Sequence, residues 1–144
     1  MTQPPDGREL FGLHVLLVDD EVDGRDVLKE LLLAYGARVT TAGSAEEAWQ
    51  RLREEKPDVL VTDIGMPDES GLALLRRIRQ LPEGDGGGIP AIAITGWSSP
   101  GDAKLALAHG FQAHLAKPFS LNKLVDALMR LARRVEPTPP SVER

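Results

Sequence analysis

Five short strand-like runs alternate with segments of helical periodicity, and three of those runs are apolar almost from end to end: VLLV at 15–18, VLVT at 59–62 and AIAIT at 91–95. A strand with no polar alternation is buried on both faces, which is the condition of a strand inside a parallel sheet. The remaining runs are 38–41 and the brief 114–116. Between them the spacing predicts helices at 22–35 (Val27, Leu28, Leu31 and Leu32 in step, Gly36 ending it), 45–55, 72–80, 100–109 (stopped by Gly110) and 121–134. Ser44 and Glu47 read as a capping box opening the second helix, and Pro57 breaks it. Ser120 caps the last helix, where Leu121, Leu124, Val125, Leu128 and Leu131 form one stripe. Strict β-α alternation implies an α/β doubly wound fold, a five-stranded parallel sheet with helices on both faces.

The chain has 144 residues, enough for one domain with a single sizeable core. Residues 1–12 and 136–144 are rich in Pro or Gly and read as tails, leaving 13–135 as the folded domain. The stretch 82–88, with four glycines, reads as a loose loop. A formal charge of −5 gives no basic footprint, so direct nucleic-acid binding is not expected. Cysteine is absent, which excludes disulfides, Cys-ligated zinc and thiol catalysis, and fits a reducing cytoplasm. No apolar run approaches the ~20 residues of a membrane span, and the N-terminus lacks signal-peptide character.

Ligands of such sheets bind beyond the carboxyl ends of the strands. The residues there are Asp19-Asp20-Glu21 after the first strand, Asp63 after the third, Thr95-Gly96 after the fourth and Lys117-Pro118 after the fifth. Asp19, Asp20 and Asp63 repel one another if the first and third strands are neighbours, unless positive charge joins them. A hard, oxygen-preferring dication, Mg²⁺ or Mn²⁺, suits that need, and Lys117 supplies a further positive charge. A carboxylate can be a nucleophile toward phosphorus, and phosphoryl transfer needs chiefly positioning and charge neutralisation. Those observations point to Asp63 as acceptor, with Lys117 and the Thr95 hydroxyl neutralising oxygens.

The segments VLLVDDE, VLVTDIGMPDESG, AIAITG and AKPF, in this order and spacing, resemble the receiver domain of two-component response regulators over nearly the whole ordered length. The resemblance implies a flavodoxin-like fold with strand order 2-1-3-4-5. It implies that Asp63 is the phosphoacceptor, that Asp20 and Asp19 hold the metal together with Asp63 and the backbone carbonyl of Gly65, and that Lys117-Pro118 is a cis peptide. Thr95 would hydrogen-bond the phosphoryl group. The family's switch position, three before the lysine, is usually Tyr or Phe; here it is His114.

The expected donor is a phosphohistidine on a histidine kinase or phosphotransfer protein, docking near the first helix where Arg25 and Lys29 are expected at the surface. The chain would then act only on itself and not as an enzyme on other substrates, with a downstream protein partner. It would be a monomer or a phosphorylation-dependent dimer, for which the apolar fourth helix (Ala103, Leu105, Ala106, Leu107, Ala108) is a candidate face. The alternatives are a non-phosphorylated pseudo-receiver serving as an interaction module and a phosphatase of the haloacid-dehalogenase type. The first generally lacks part of the acidic set or the lysine, and the second wants an acid where Gly65 stands. The three histidines show no zinc spacing, Trp49 and Tyr35 read as partly buried helix residues, and the Glu/Arg-rich stretches 46–55 and 76–79 as solvated faces.

Overall fold

The computed structural model describes residues 9–65, 70–96, 100–117 and 120–135. Five strands, β1 (His14–Val18), β2 (Arg38–Ala42), β3 (Val59–Asp63), β4 (Ala91–Thr95) and β5 (Ala113–Ala116), alternate with helices α1 (Val22–Ala34), α2 (Ala45–Glu55), α3 (Gly71–Arg79), α4 (Pro100–Ala108) and α5 (Leu121–Val135). The strands pair in parallel in the order β2-β1-β3-β4-β5. This is the expected doubly wound arrangement, with each boundary within two residues of the expected one.

The apolar runs divide by alternation. Val15, Leu17, Val59, Val61, Ile92 and Ile94 pack under α1 and α5, against Leu32, Leu124 and Leu128. Leu16, Val18, Leu60, Ala91 and Ala93 face α2, α3 and α4, against Leu52, Leu74, Leu75 and Ile78. Each fully buried Leu or Ile contributes roughly 1.5–3 kcal/mol relative to exposure, so the two layers dominate the stabilising side.

Local signals behave as side-chain chemistry dictates. Ser44 Oγ accepts from the Glu47 N–H at 3.1 Å, while Glu47 Oε1 reaches back to the Gly43 N–H at 2.9 Å. That is a capping box shifted by one residue on its return bond. Ser120 Oγ accepts from the Lys123 N–H, as expected, and Ser70 Oγ caps α3 through the Ala73 N–H. Gly36 ends α1 at φ 93°, with its N–H on Leu33 O and the Ala37 N–H on Leu32 O, the paired bonds that only a left-handed residue allows without strain.

Four expectations change. Val27 is 59% exposed although it lies in step with Leu32, because α1 covers a sheet only on its inner side. Leu10, inside the expected N-terminal tail, is buried in the α1/α5 layer and its N–H bonds Tyr35 O, while Phe11 beside it is exposed. The stretch 82–88 is closed by Gly87 N–H to Pro82 O and Ile89 N–H to Gly86 O, and holds a single 3₁₀ turn at Glu83–Asp85. Finally, Arg79 and Arg77 are not a free solvated face. Arg79 donates to Gly87 O at 2.8 Å and Gly110 O at 3.1 Å, and Arg77 stacks on Trp49, 4.4 Å from its ring centre.

At the amino ends of the strands His14 is buried. Thr40 Oγ1 gives its proton to Glu55 Oε1 at 2.7 Å, so it receives one from His14 Nε2, also at 2.7 Å. Burial, then the Arg38 charge, lowers the His14 pKa below its ordinary value, with Glu55 and Asp58 partly opposing. The folded state therefore binds fewer protons than the unfolded one near and below the unfolded pKa of 6.5. The associated stability is present above that pH and is lost as pH falls through the lowered folded value. Urea titrations between about pH 7.5 and 5.5 should show stability falling with pH, with a shallower fall in His14→Gln. Equal slopes in the two proteins would contradict this.

Candidate functional site

β1 and β3 are adjacent and in register, Val18 opposite Thr62, so their following residues come together at one sheet edge. The Asp19 N–H still pairs with Ala42 O, and its carboxylate Oδ1 accepts from the Glu21 N–H at 3.0 Å. Asp19 is only 4% exposed, so it is not a solvated helix-start residue, whereas Asp20 beside it is exposed. Arg25, on the first turn of α1, turns inward and donates Nη1–H to the Asp19 carbonyl at 2.8 Å. Its inward course explains why it is half-buried and not the open docking side chain expected; Lys29 is half-buried too.

Asp63 ends β3. Its Oδ1 accepts from the Gly65 N–H at 2.8 Å, and its Oδ2 lies 3.2 Å from Lys117 Nζ. The same ammonium reaches Asp19 Oδ2 at 3.4 Å. Burial works against the Lys117 charge, but the hydrogen bond and charge of Asp63, then those of Asp19, outweigh it and hold the pKa above its usual value. Lys117 is therefore a permanent cation. The backbone fixes its place, since the Lys117 N–H bonds Thr95 O at 2.7 Å.

Asp19, Asp20 and Asp63 each present a carboxylate oxygen within 4.8 Å of the others. Three negative charges face one ammonium, and the donor set is all oxygen, so the cluster fits a hard divalent cation. Thr95 is buried at the end of β4, its Oγ1 3.1 Å from His114 Nε2. All the expected side chains thus gather at one edge. Pro118 lies outside the described residues, and with it the expected cis peptide.

Sequence reasoning missed two supports. A Cβ on Gly71 would lie 2.7 Å from the Asp63 carbonyl oxygen and 2.9 Å from Ile64 Cα, so α3 begins against the backbone that carries Asp63. Its only signal is a glycine at a helix start. Arg25 carried no signal, because nothing in sequence distinguishes an inward arginine on α1 from an exposed one.

Residues 15–129 match the model of the response regulator receiver domain family. The chain is 41% identical over 116 residues to the "14.6 kDa protein in sodA1 3'region" of Leptolyngbya boryana, covering 81% of this chain and 87% of that protein. It is 38% identical over 122 residues to the transcriptional regulatory protein TrcR of Mycobacterium tuberculosis, covering 85% of this chain but 46% of TrcR. The chain thus spans about half the length of the transcriptional regulators it matches. Among solved structures, a receiver domain protein of Clostridium thermocellum superposes with a TM-score of 0.77 at 31% identity, over 85% of this chain and 95% of the other. The chemotaxis protein CheY4 of Vibrio cholerae gives 0.76 at 28% identity, over 83% and 98%.

Proposed function

This chain belongs to the response regulator receiver domain family of two-component systems, and from that premise we propose that it takes a phosphoryl group onto Asp63 from a phosphohistidine donor. A carboxylate oxygen of Asp63 attacks phosphorus; the new P–O bond forms as the P–N bond to the donor imidazole breaks, and the departing imidazole keeps the bonding pair. The observation that carries the reading is the Lys117 ammonium, shared between Asp63 and Asp19 at 3.2 and 3.4 Å. On transfer it would exchange a carboxylate oxygen for a phosphoryl oxygen.

Asp19, Asp20 and Asp63, with the Gly65 carbonyl, would hold Mg²⁺ or Mn²⁺. Such a cation, when bound, neutralises charge on the transferring group. The residues themselves do the rest. The Gly65 N–H orients the Asp63 carboxylate, Lys117 offsets charge on the phosphoryl oxygens, and Thr95 donates a hydrogen bond to one of them, with His114 as its switch partner. Donor recognition suits the groove beside the site, lined by Glu21, Gly24, Leu28, Leu31 and Leu121. The donor is a histidine kinase or phosphotransfer protein, and the chain acts on no substrate but itself and its donor. Among the described residues no helix is long and apolar enough to cross a membrane; a cytoplasmic location belongs to the same reading, as does 13–135 as the functional unit.

Incubation with acetyl phosphate and Mg²⁺, followed by intact-mass measurement, tests this directly. The protein should gain one phosphoryl group, and the gain should vanish in Asp63→Asn and on chelation of the cation. No gain under any of these conditions refutes the proposal.

A further inference from the structure

Arg25 is a charged side chain beside the acidic cluster that the phosphoryl chemistry leaves unused. Its Nη1–H goes at 2.8 Å to the Asp19 carbonyl, not to a carboxylate. That carbonyl belongs to the peptide joining Asp19 to Asp20, two of the three acids of the cluster. A peptide is planar, so holding its oxygen fixes the direction in which Asp20 leaves the plane. The Asp19 N–H is already held by Ala42 O, and Asp19 Oδ1 by the Glu21 N–H. Arg25 adds the hold on the far side of the residue.

The inward course of this arginine carries a cost and has room made for it. Arg25 Nε is buried with no hydrogen-bond partner among the described residues, a cost that an arginine turned to solvent would avoid. A Cβ on Gly43 would stand 2.8 Å from Arg25 Nη1 and 3.7 Å from its Cζ. Gly43 has no left-handed φ, so what its bareness serves is the guanidinium against it.

Rigidity of a ligand frame matters more to one cation than to another. Mg²⁺ demands near-octahedral oxygens at about 2.0–2.1 Å, whereas Ca²⁺ accepts looser sets at about 2.3–2.6 Å. We propose that Arg25 is a positioning residue for cation choice: by holding the Asp19–Asp20 peptide it biases the acidic cluster toward Mg²⁺ and away from Ca²⁺. The inference rests on Asp19, Asp20 and Asp63 being the cation ligands.

Removing the arginine's charge acts on either dication alike, so the ratio of the two dissociation constants reports geometry. Amide NMR titrations of the whole chain, with Mg²⁺ and separately with Ca²⁺, measure that ratio. Arg25→Ala should move it about tenfold toward Ca²⁺, the lower end of what losing a ligand's outer hydrogen-bond partner costs. Gly43→Ala keeps every charge, and the atom that must yield is the end of a flexible side chain. It should move the ratio the same way by about threefold, a partial loss of the same bond. Added to Arg25→Ala, it should change the ratio by less than about twofold. Should Arg25→Ala not fold, Gly43→Ala decides alone. The proposal is overturned if both affinities change together at constant ratio, if Gly43→Ala leaves the ratio at the parental value, or if its effect persists without Arg25. A parent that binds neither cation, or binds them equally well as Asp63→Asn, brings down the cation reading and this inference with it. A parent that binds through Asp63 beside variants of unchanged ratio removes the inference alone.

Discussion

Replacing Lys117 by alanine is expected to slow phosphoryl capture from acetyl phosphate about a hundredfold while tightening Mg²⁺ binding about tenfold. The two effects have opposite signs because one ammonium serves both states. Before transfer it shares Asp63 Oδ2 and Asp19 Oδ2 with any cation in the acidic cluster, and so competes with it. During transfer it faces developing charge on phosphoryl oxygens, where loss of one aimed donor typically costs two to three orders of magnitude. Without cation, the variant leaves the Asp19 and Asp63 carboxylates, 6% and 13% exposed, to repel each other. A fully buried pair broken this way costs 3–5 kcal/mol; Lys117 is one-third exposed, so about 1–2 kcal/mol is the fitting scale. Mass-spectrometric time courses, Mg²⁺ titration and urea unfolding with and without Mg²⁺ measure the three quantities. Weaker Mg²⁺ binding in the variant would contradict the shared role of the ammonium.

Gly71→Ala should destabilise the protein by about 2 kcal/mol and take most of the phosphoryl capture with it. Helix propensity argues the other way, by up to about 1 kcal/mol for Gly to Ala inside a helix. Sterics decide the sign. The new Cβ would stand 2.7 Å from the Asp63 carbonyl oxygen and 2.9 Å from Ile64 Cα, both backbone atoms that cannot rotate away. Relief requires shifting either α3 or the peptide after Asp63, and the second choice re-aims the Asp63 carboxylate. Gly84→Ala, whose Cβ would meet nothing within 4 Å, is the matched control. A Gly71→Ala protein with parental stability and parental capture would show that α3 yields at no cost.

The sheet and its site edge were legible in sequence because both are written in short-range pattern. A short, β-branched apolar run such as VLVT, bounded by Pro57 and Gly65, reads as a doubly covered strand, and a doubly wound sheet sends Asp19, Asp63, Thr95 and Lys117 to the same edge. What escaped depends on tertiary approach. Val27 and Leu32 share one apolar period, yet only Leu32 meets the sheet. In the loop at 82–88, Gly87 is there for packing: a Cβ on it would collide with the Leu81 carbonyl, and Arg79 is bonded to the Gly87 carbonyl. Ser44 and Glu47 announced a cap correctly, but the partner of Glu47 is Gly43, a choice set by the chain's path into α2. Gly71 and Arg25 look ordinary until the backbone of Asp63 and the carbonyl of Asp19 are seen against them.

The strand order has a kinetic consequence. Every neighbouring pair in the sheet joins consecutive strands except β1 with β3, whose seam is fastened at its base by the His14 N–H on Asp58, 44 residues away in the chain. Closing that seam costs the most chain entropy of any strand pairing here. It is also the seam across which Asp19 and Asp63 repel, and the residue that offsets the repulsion, Lys117, arrives from β5 at the opposite side of the sheet. Asp19 and Asp63 become neighbours only once the two halves of the chain have met. The acidic pocket therefore cannot exist before those halves dock, and neither half alone carries a pocket to load.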